Sequence, residues 1–136
     1  CNEALVMGYQ NEFKQVILNI LNNSNDAILE KRQQNIINSD QDGLINIEIS
    51  NKDANVIVAI DDNGIGIPDN ILENIFEPYF TTKADDKGTG IGLYMAKTII
   101  EKNMNGTLSA KNTASGAEFI IELQAHILNG NTMGRQ

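Results

Sequence analysis

Residues 4–7 are a short apolar run ahead of Gly8 and read as an edge strand. From residue 12 to about 37 the apolar positions follow a different period. Val16, Ile17, Ile20, Leu21, Ala27 and Ile28 recur at helical spacing, which predicts a long helix with that stripe buried. Asn38, Ser39, Asp40, Gln41, Asp42 and Gly43 end it with turn chemistry. Ile45, Ile47 and Ile49 then alternate with Asn46, Glu48 and Ser50, the pattern of a half-buried strand. Residues 56–60 are apolar throughout and predict a strand covered on both faces, in the middle of the sheet. A glycine-rich loop follows at 61–68 and a short helix at 69–75. Residues 76–90 are rich in Thr, Lys, Asp and Gly and carry no clear period, which predicts a mobile loop. A second helix is expected over 91–103, and strands over 107–111 and 117–123. The stretch 125–136 reads as a disordered tail, leaving 1–124 as one domain without internal repeats.

This order lacks the strict strand–helix alternation of a doubly wound parallel sheet. The expected fold is an α/β two-layer sandwich: a mixed, mostly antiparallel sheet of about five strands with helices on one face.

Composition narrows the function classes. The chain has 136 residues, no Trp and few aromatics, so aliphatic side chains must build a single core. A net charge of −8 argues against a nucleic-acid domain, which carries a basic face. It also means that a polyphosphate ligand must be held locally, by backbone N–H groups, a metal and a few cations. The one cysteine is Cys1, so no disulfide framework forms within the chain. No apolar run approaches the length of a membrane span. The sequence opens inside an apparent strand, as a piece of a longer protein would.

Three constellations carry candidate chemistry. On the first helix Asn19 and Asn23 are four apart and share a face, with Asn22 beside them and Asp26 three further on. Amide and phosphate oxygens are hard ligands that Mg²⁺ accepts. Asp61-Asp62-Asn63-Gly64-Ile65-Gly66-Ile67 follows the most apolar strand. A carboxylate there can accept a hydrogen bond from an exocyclic amine, while the glycines let the backbone approach a flat ring. Lys87-Gly88-Thr89-Gly90-Ile91-Gly92-Leu93 opens the second helix, where freed N–H groups and the helix end favour an anion. It is not a Walker A loop, because Gly-x-x-x-x-Gly-Lys-Ser/Thr is absent, and no strand precedes it as a dinucleotide fingerprint requires. The run from Asn38 to Ile45 imitates an EF-hand loop, but its twelfth position is Ile49 where a bidentate Glu is needed.

Together these segments resemble the ATP-binding catalytic domain of sensor histidine kinases, in the GHKL superfamily (the Bergerat fold) that includes gyrase. Phe13 to Asn23 is similar to the N box, and Asp62-Asn63-Gly64-Ile65-Gly66 to the first glycine box. Ile75-Phe76-Glu77-Pro78-Tyr79-Phe80-Thr81-Thr82-Lys83 is similar to the F box, and Gly88-Thr89-Gly90-Ile91-Gly92-Leu93 to the second glycine box. Gly116-Ala117-Glu118-Phe119 is similar to the closing glycine segment.

The resemblance implies ATP and Mg²⁺ as cofactors, with roles residue by residue. Asn23 would ligate Mg²⁺, Asn19 would lie near the phosphates, and both would serve the chemistry, with Asp26 beside them. Asp62 would take adenine N6, with Gly64, Gly66 and Ile67 shaping the pocket. Phe76 to Gly92 would be the lid that closes over ATP, with Phe80, Thr81, Thr82, Lys83, Lys87, Gly88, Thr89, Gly90, Ile91, Gly92 and Leu93 binding the nucleotide and the N–H groups of Gly88, Gly90, Gly92 and Leu93 near the phosphates. The ATP-hydrolysing relatives carry a Glu where this chain has Asn19, and an amide cannot activate water. A protein-histidine kinase is therefore implied, with an ATPase or a nucleotide-sensing module as alternatives. Its phosphoacceptor would sit on a separate histidine-bearing helical hairpin, and a response regulator would follow indirectly. His126, followed by Ile127, reads as an exposed tail residue, not that acceptor. Many relatives place a cation at the position of Asp26; Lys31 and Arg32 are the candidates to replace it. A monomeric, cytoplasmic domain is expected, without direct membrane contact of its own, whether or not the parent protein is membrane-anchored.

Overall fold

The computed structural model describes residues 5–6, 10–34, 43–78, 80 and 91–126. Strand β1 is Leu5–Val6, helix α1 is Gln10–Gln33, β2 is Ile45–Lys52 and β3 is Asn55–Asp62. A 3₁₀ turn, Asp69–Asn74, stands where a short helix was expected. Helix α2, Gly92–Thr98, continues directly into a π-helical turn, Ile99–Asn103, so the second predicted helix exists but changes its winding halfway. Strands β4, Thr107–Asn112, and β5, Ala117–His126, complete the sheet. β5 runs past the predicted limit of 123, and His126 pairs through its backbone with Leu5. His126 is thus part of the sheet.

The sheet has five strands, with β5 flanked by β3 on one side and by β4 and β1 on the other, and β2 outside β3. Every pairing among the described strands is antiparallel. The register explains the core. Val56, Val58 and Ile60 of β3 stand opposite Leu123, Ile121 and Phe119 of β5. Opposed residues of an antiparallel pair share a face, and all six are buried. On that face lie Val16 and Ile20 of α1, Ala96 of α2, and Ile99 and Ile100 of the π turn. Helices on one face of a sheet, the predicted sandwich, follow from this one-sided burial.

Two burial expectations are corrected. β3 lies inside the sheet, but its residues alternate between buried and half-buried. Only one face is covered by helices, so the continuous apolar run does not mean burial on both sides. β2 is exposed along its whole length, with Ile45, Ile47 and Ile49 at 37%, 48% and 68% exposure. Their register opposite Asp62, Ile60 and Val58 puts them on the core side of the sheet. β2 is nevertheless an edge strand, and the buried core contains no residue from it. Alternation reports which way side chains face, not whether anything covers them.

The buried row of α1 is Val16, Ile20, Ser24 and Ile28, a strict four-residue repeat. Ile17, Leu21 and Ala27 are only half-buried at its flank. The predicted helix boundary near 37 lies outside the described residues.

Candidate functional site

The site begins at the C-terminal end of β3, where the core face of the sheet presents Asp62 in place of another aliphatic residue. Asp62 is 3% exposed. Its Oδ1 accepts a hydrogen bond from the Gly64 N–H at 2.8 Å. Burial pushes its carboxyl above the usual carboxylate range; the Gly64 N–H, the nearby Ser24 hydroxyl and the Ala117 N–H pull it back down, and neighbouring Asp61 adds to the rise. Oδ2 completes no hydrogen bond, nor does the buried Ser24 Oγ. A charged-form acceptor with a free lone pair in a low-dielectric pocket is suited to a ligand donor.

Glycines bring three segments together around this carboxylate. A Cβ at Gly64 would stand 2.7 Å from the backbone of Ala27 on α1, and the Ile65 N–H donates to the Ala27 carbonyl at 3.1 Å. Gly66 has φ +80°, a left-handed backbone that glycine adopts without penalty. A Cβ at Gly116 would collide with the Asp62 carbonyl and lie 2.8 Å from both Asp62 Oδ1 and the Gly64 nitrogen. The loop is thus pressed between α1 and the β4–β5 hairpin.

Asn112 locks the same loop and was not singled out in the sequence. Its Oδ1 accepts from the Ile67 N–H at 2.8 Å, and its Nδ2 donates to the Ile67 carbonyl at 2.5 Å and to Asp69 Oδ1 at 3.3 Å. An Asn ending a strand offers no sequence signal that separates this clamp from ordinary turn chemistry. Ser24 was missed for another reason: a lone Ser inside an aliphatic helical row reads as a tolerated small residue.

Asn19 ties α1 to α2. Its Nδ2 donates to the Gly92 carbonyl at 3.0 Å, and its Oδ1 accepts from Gln15 Nε2 at 3.1 Å. Asn23 lies one turn further along α1, half-buried, and its side chain makes no hydrogen bond among the described residues. Asp26 is half-buried on the same helix. Ile91 and Leu93 flank Gly92 at the start of α2, with Leu93 packed on the core and the Ile91 carbonyl accepting from the Met95 N–H. Phe80 also packs against the core. Phe76 anchors this segment, edge-on to Phe119 at 6.2 Å between centroids and with Lys97 Nζ 4.8 Å over its ring. Thr81, Thr82, Lys83, Lys87, Gly88, Thr89 and Gly90 lie outside the described residues.

Lys31 departs from expectation. Its Nζ donates to the Asn63 carbonyl at 3.2 Å and the Ser115 carbonyl at 3.5 Å, bracing the glycine loop and the hairpin. It stands eight residues beyond Asn23, about 12 Å along the helix axis. That engagement removes it as the cation serving a phosphate near Asn23. A groove of about 600 Å³ opens beside Lys31, between Gln34, Ile67, Ile71 and Ser115; it shares the glycine loop but is lined by neither Asp62, Asn19 nor Asn23. Among the described residues no cluster of His, Cys, Asp and Glu could hold a metal.

A two-layer sandwich with a buried, unsatisfied carboxylate under a glycine loop, and a helix carrying amides beside it, defines an α/β ligand-binding domain. The family described as histidine kinase-, DNA gyrase B-, and HSP90-like ATPase matches residues 8–127, and the chain belongs to it. Two-component sensor PprA of Pseudomonas aeruginosa is 37% identical over 126 residues, covering 88% of this chain and 12% of that protein. Sporulation kinase A of Bacillus subtilis is 35% identical over 116 residues, covering 85% of this chain and 17% of that protein. The chain therefore spans less than a fifth of the length of these relatives. The catalytic domain of histidine kinase ThkA superimposes with a TM-score of 0.71 at 31% identity, over 88% of this chain and 70% of that one. Mycobacterial sensor histidine kinase MprB, at 22% identity and a TM-score of 0.72, covering 90% of this chain and 76% of its own, shares the fold. Among the described residues no helix is long and apolar enough to cross a membrane.

Proposed function

We propose that this chain binds Mg²⁺–ATP and directs its γ-phosphoryl group to a histidine on a separate helical-hairpin domain, as the catalytic part of a two-component sensor kinase. The observation that carries this reading is the buried Asp62 carboxylate, whose Oδ2 lacks a partner beneath the glycine loop. An adenine amino group supplies the missing donor, and Gly64, Gly66 and Ile67 let the ring lie against backbone.

Asn23 would hold the metal through its amide oxygen, with Asn19 beside the phosphates and Asp26 close by. Bound ATP supplies the transferable phosphoryl group, and Mg²⁺ offsets the phosphate charge. The protein's part is positioning. Residues 76–92, including Thr81, Thr82, Lys83 and Lys87, would close over the nucleotide, with the N–H groups of Gly88, Gly90, Gly92 and Leu93 near the phosphates. Asn19 has Gln15 and a backbone carbonyl as partners, and neither is a base. Water therefore receives no help in attacking, while an unprotonated imidazole serves as its own nucleophile. A monomeric domain on the cytoplasmic side, where ATP is found, follows from this reading, with the response regulator downstream of the hairpin.

The test is transfer from γ-labelled ATP with Mg²⁺ to an added hairpin domain of a related sensor kinase. Label should appear on the hairpin histidine, with phosphate release near background when the hairpin is omitted. Sustained phosphate release without the hairpin would favour the ATPase alternative; binding with neither release nor transfer would favour a sensing module.

A further inference from the structure

Strands β4 and β2 lie at opposite edges of the sheet, and the two edges are finished differently. At β4, side chains take both backbone groups of Leu108. Its N–H donates to Glu101 Oε2 at 3.4 Å, and its carbonyl accepts from Lys97 Nζ at 3.0 Å. That edge is blunted. At β2 the Asn63 N–H donates to the Leu44 carbonyl at 3.2 Å, just ahead of the Ile45–Asp62 pair. Hydrogen-bonded positions alternate along an antiparallel ladder. Asn46, Glu48 and Ser50 therefore bond to β3, while Ile45, Ile47 and Ile49 turn their N–H and C=O groups outward. Among the described residues no strand and no side chain takes these outward groups.

Exposed edges are normally guarded by shortness, a bulge, a proline or a central lysine. β2 has eight residues, an unbroken register against β3, no Pro, and a Lys only at its last position. Ile45, Ile47 and Ile49 form an exposed apolar row on the core side of the sheet, next to the outward backbone groups. Unpaired backbone groups beside an apolar row are what an incoming strand pairs with. We propose that β2 is the docking edge for an extended, cationic segment of a partner protein. The segment adds to the sheet as an antiparallel strand, with apolar residues opposite Ile45, Ile47 and Ile49 and a Lys or Arg opposite Glu48. This goes beyond nucleotide binding and does not rest on it.

Charge selects the occupant. The polar row of β2 carries Glu48 at its middle, and Asn46 beside it donates to Asp61 Oδ1 on the same face of the sheet. Lys52 stands apart at the far end of the strand. The local field is therefore acidic, and the whole chain carries a net charge of −8, which draws a basic segment and repels an acidic one. A second copy of this chain fits less well. Setting the two isoleucine rows against each other antiparallel, with Ile47 opposite its counterpart, places Glu48 opposite Asn46 of the other copy. Neither acid then meets a cation, and both chains bring the same negative charge.

The experiment titrates the isotope-labelled chain with two capped peptides, Thr-Val-Lys-Val-Thr-Val-Lys and its acidic counterpart Thr-Val-Glu-Val-Thr-Val-Glu, and reads amide shifts and hydrogen exchange by NMR. The amides of Ile45, Ile47 and Ile49 should exchange freely in the chain alone and become protected with the cationic peptide. Those of Glu48 and Ser50, already in the ladder, should change little. The cationic peptide should bind about threefold more tightly than the acidic one. Ile47→Pro removes an N–H that the β3 ladder does not use, so the variant should stay folded and bind at least about tenfold more weakly. Glu48→Lys should reverse the preference between the peptides, and it decides the matter if the proline variant does not fold. Outward amides that stay unprotected at saturating peptide, or a preference that Glu48→Lys leaves unchanged, would overturn the proposal. A chain that sediments as a dimer with these amides already protected would also overturn it, assigning the edge to a second copy.

Discussion

At the scale of single residues, the site is a balance between burial and hydrogen bonding on Asp62. Its carboxyl titrates above the usual carboxylate range in the folded chain because desolvation outweighs the donors around it. A raised carboxyl pKa means that the folded state holds the proton more tightly than the unfolded state. Stability therefore falls as pH rises from the ordinary carboxylate range through the raised value, and stays lower above it. Asp62→Asn removes that cost. The variant should match wild type in acid and have the higher thermal midpoint at neutral pH, with the gap opening as pH climbs through the Asp62 transition. Thermal melts at a series of pH values check this, and parallel melts at all pH values would show that Asp62 does not titrate as described. The residue was legible in the sequence because a carboxylate followed by glycines at a strand end is a strong pattern. Asn112 was not, because its role depends on which backbone groups the fold brings beside it.

At the scale of elements, the glycines divide into those that are needed and those that are not. Gly116 is pressed against the Asp62 carbonyl and the Gly64 nitrogen, where a methyl group has no room. Gly116→Ala should cost about 1–3 kcal/mol and abolish nucleotide binding by displacing the carboxylate. Gly92, in the first turn of α2, would place a Cβ 3.7 Å from Asn19, an ordinary contact. Gly92→Ala should leave stability unchanged or raise it by up to about 1 kcal/mol. Urea unfolding of the two variants distinguishes them, and equal losses would contradict the packing described. Helical periodicity located α1 because tertiary cover reinforces the pattern there. The same kind of pattern misled in β2, where Ile45, Ile47 and Ile49 face the core side but lie beyond the helices. The change from α to π winding at Ile99 left no mark on the periodicity of residues 91–103.

For the whole molecule, the acidic balance and the sandwich fold set the problem that the site must solve. A chain of net charge −8 attracts no polyphosphate by its overall field, so recognition has to come from the base pocket and from local phosphate ligands. The order of segments along the chain made the fold legible, since three of the segments fall where the register needs them: amides on α1, a carboxylate at the end of β3, glycine where the hairpin closes. What the order could not convey is which cation serves the phosphates, because a lysine's direction depends on its neighbours, as Lys31 demonstrates. The central claim is that a buried carboxylate reads adenine in this pocket. It is tested most directly by calorimetric titration of wild type and Asp62→Asn with adenylyl imidodiphosphate and Mg²⁺ at neutral pH. The account predicts saturable binding by wild type and at least a tenfold loss in a variant that remains folded. Equal affinity in the two proteins would contradict it, since Asp62 would then be a structural carboxylate and the adenine would be read elsewhere.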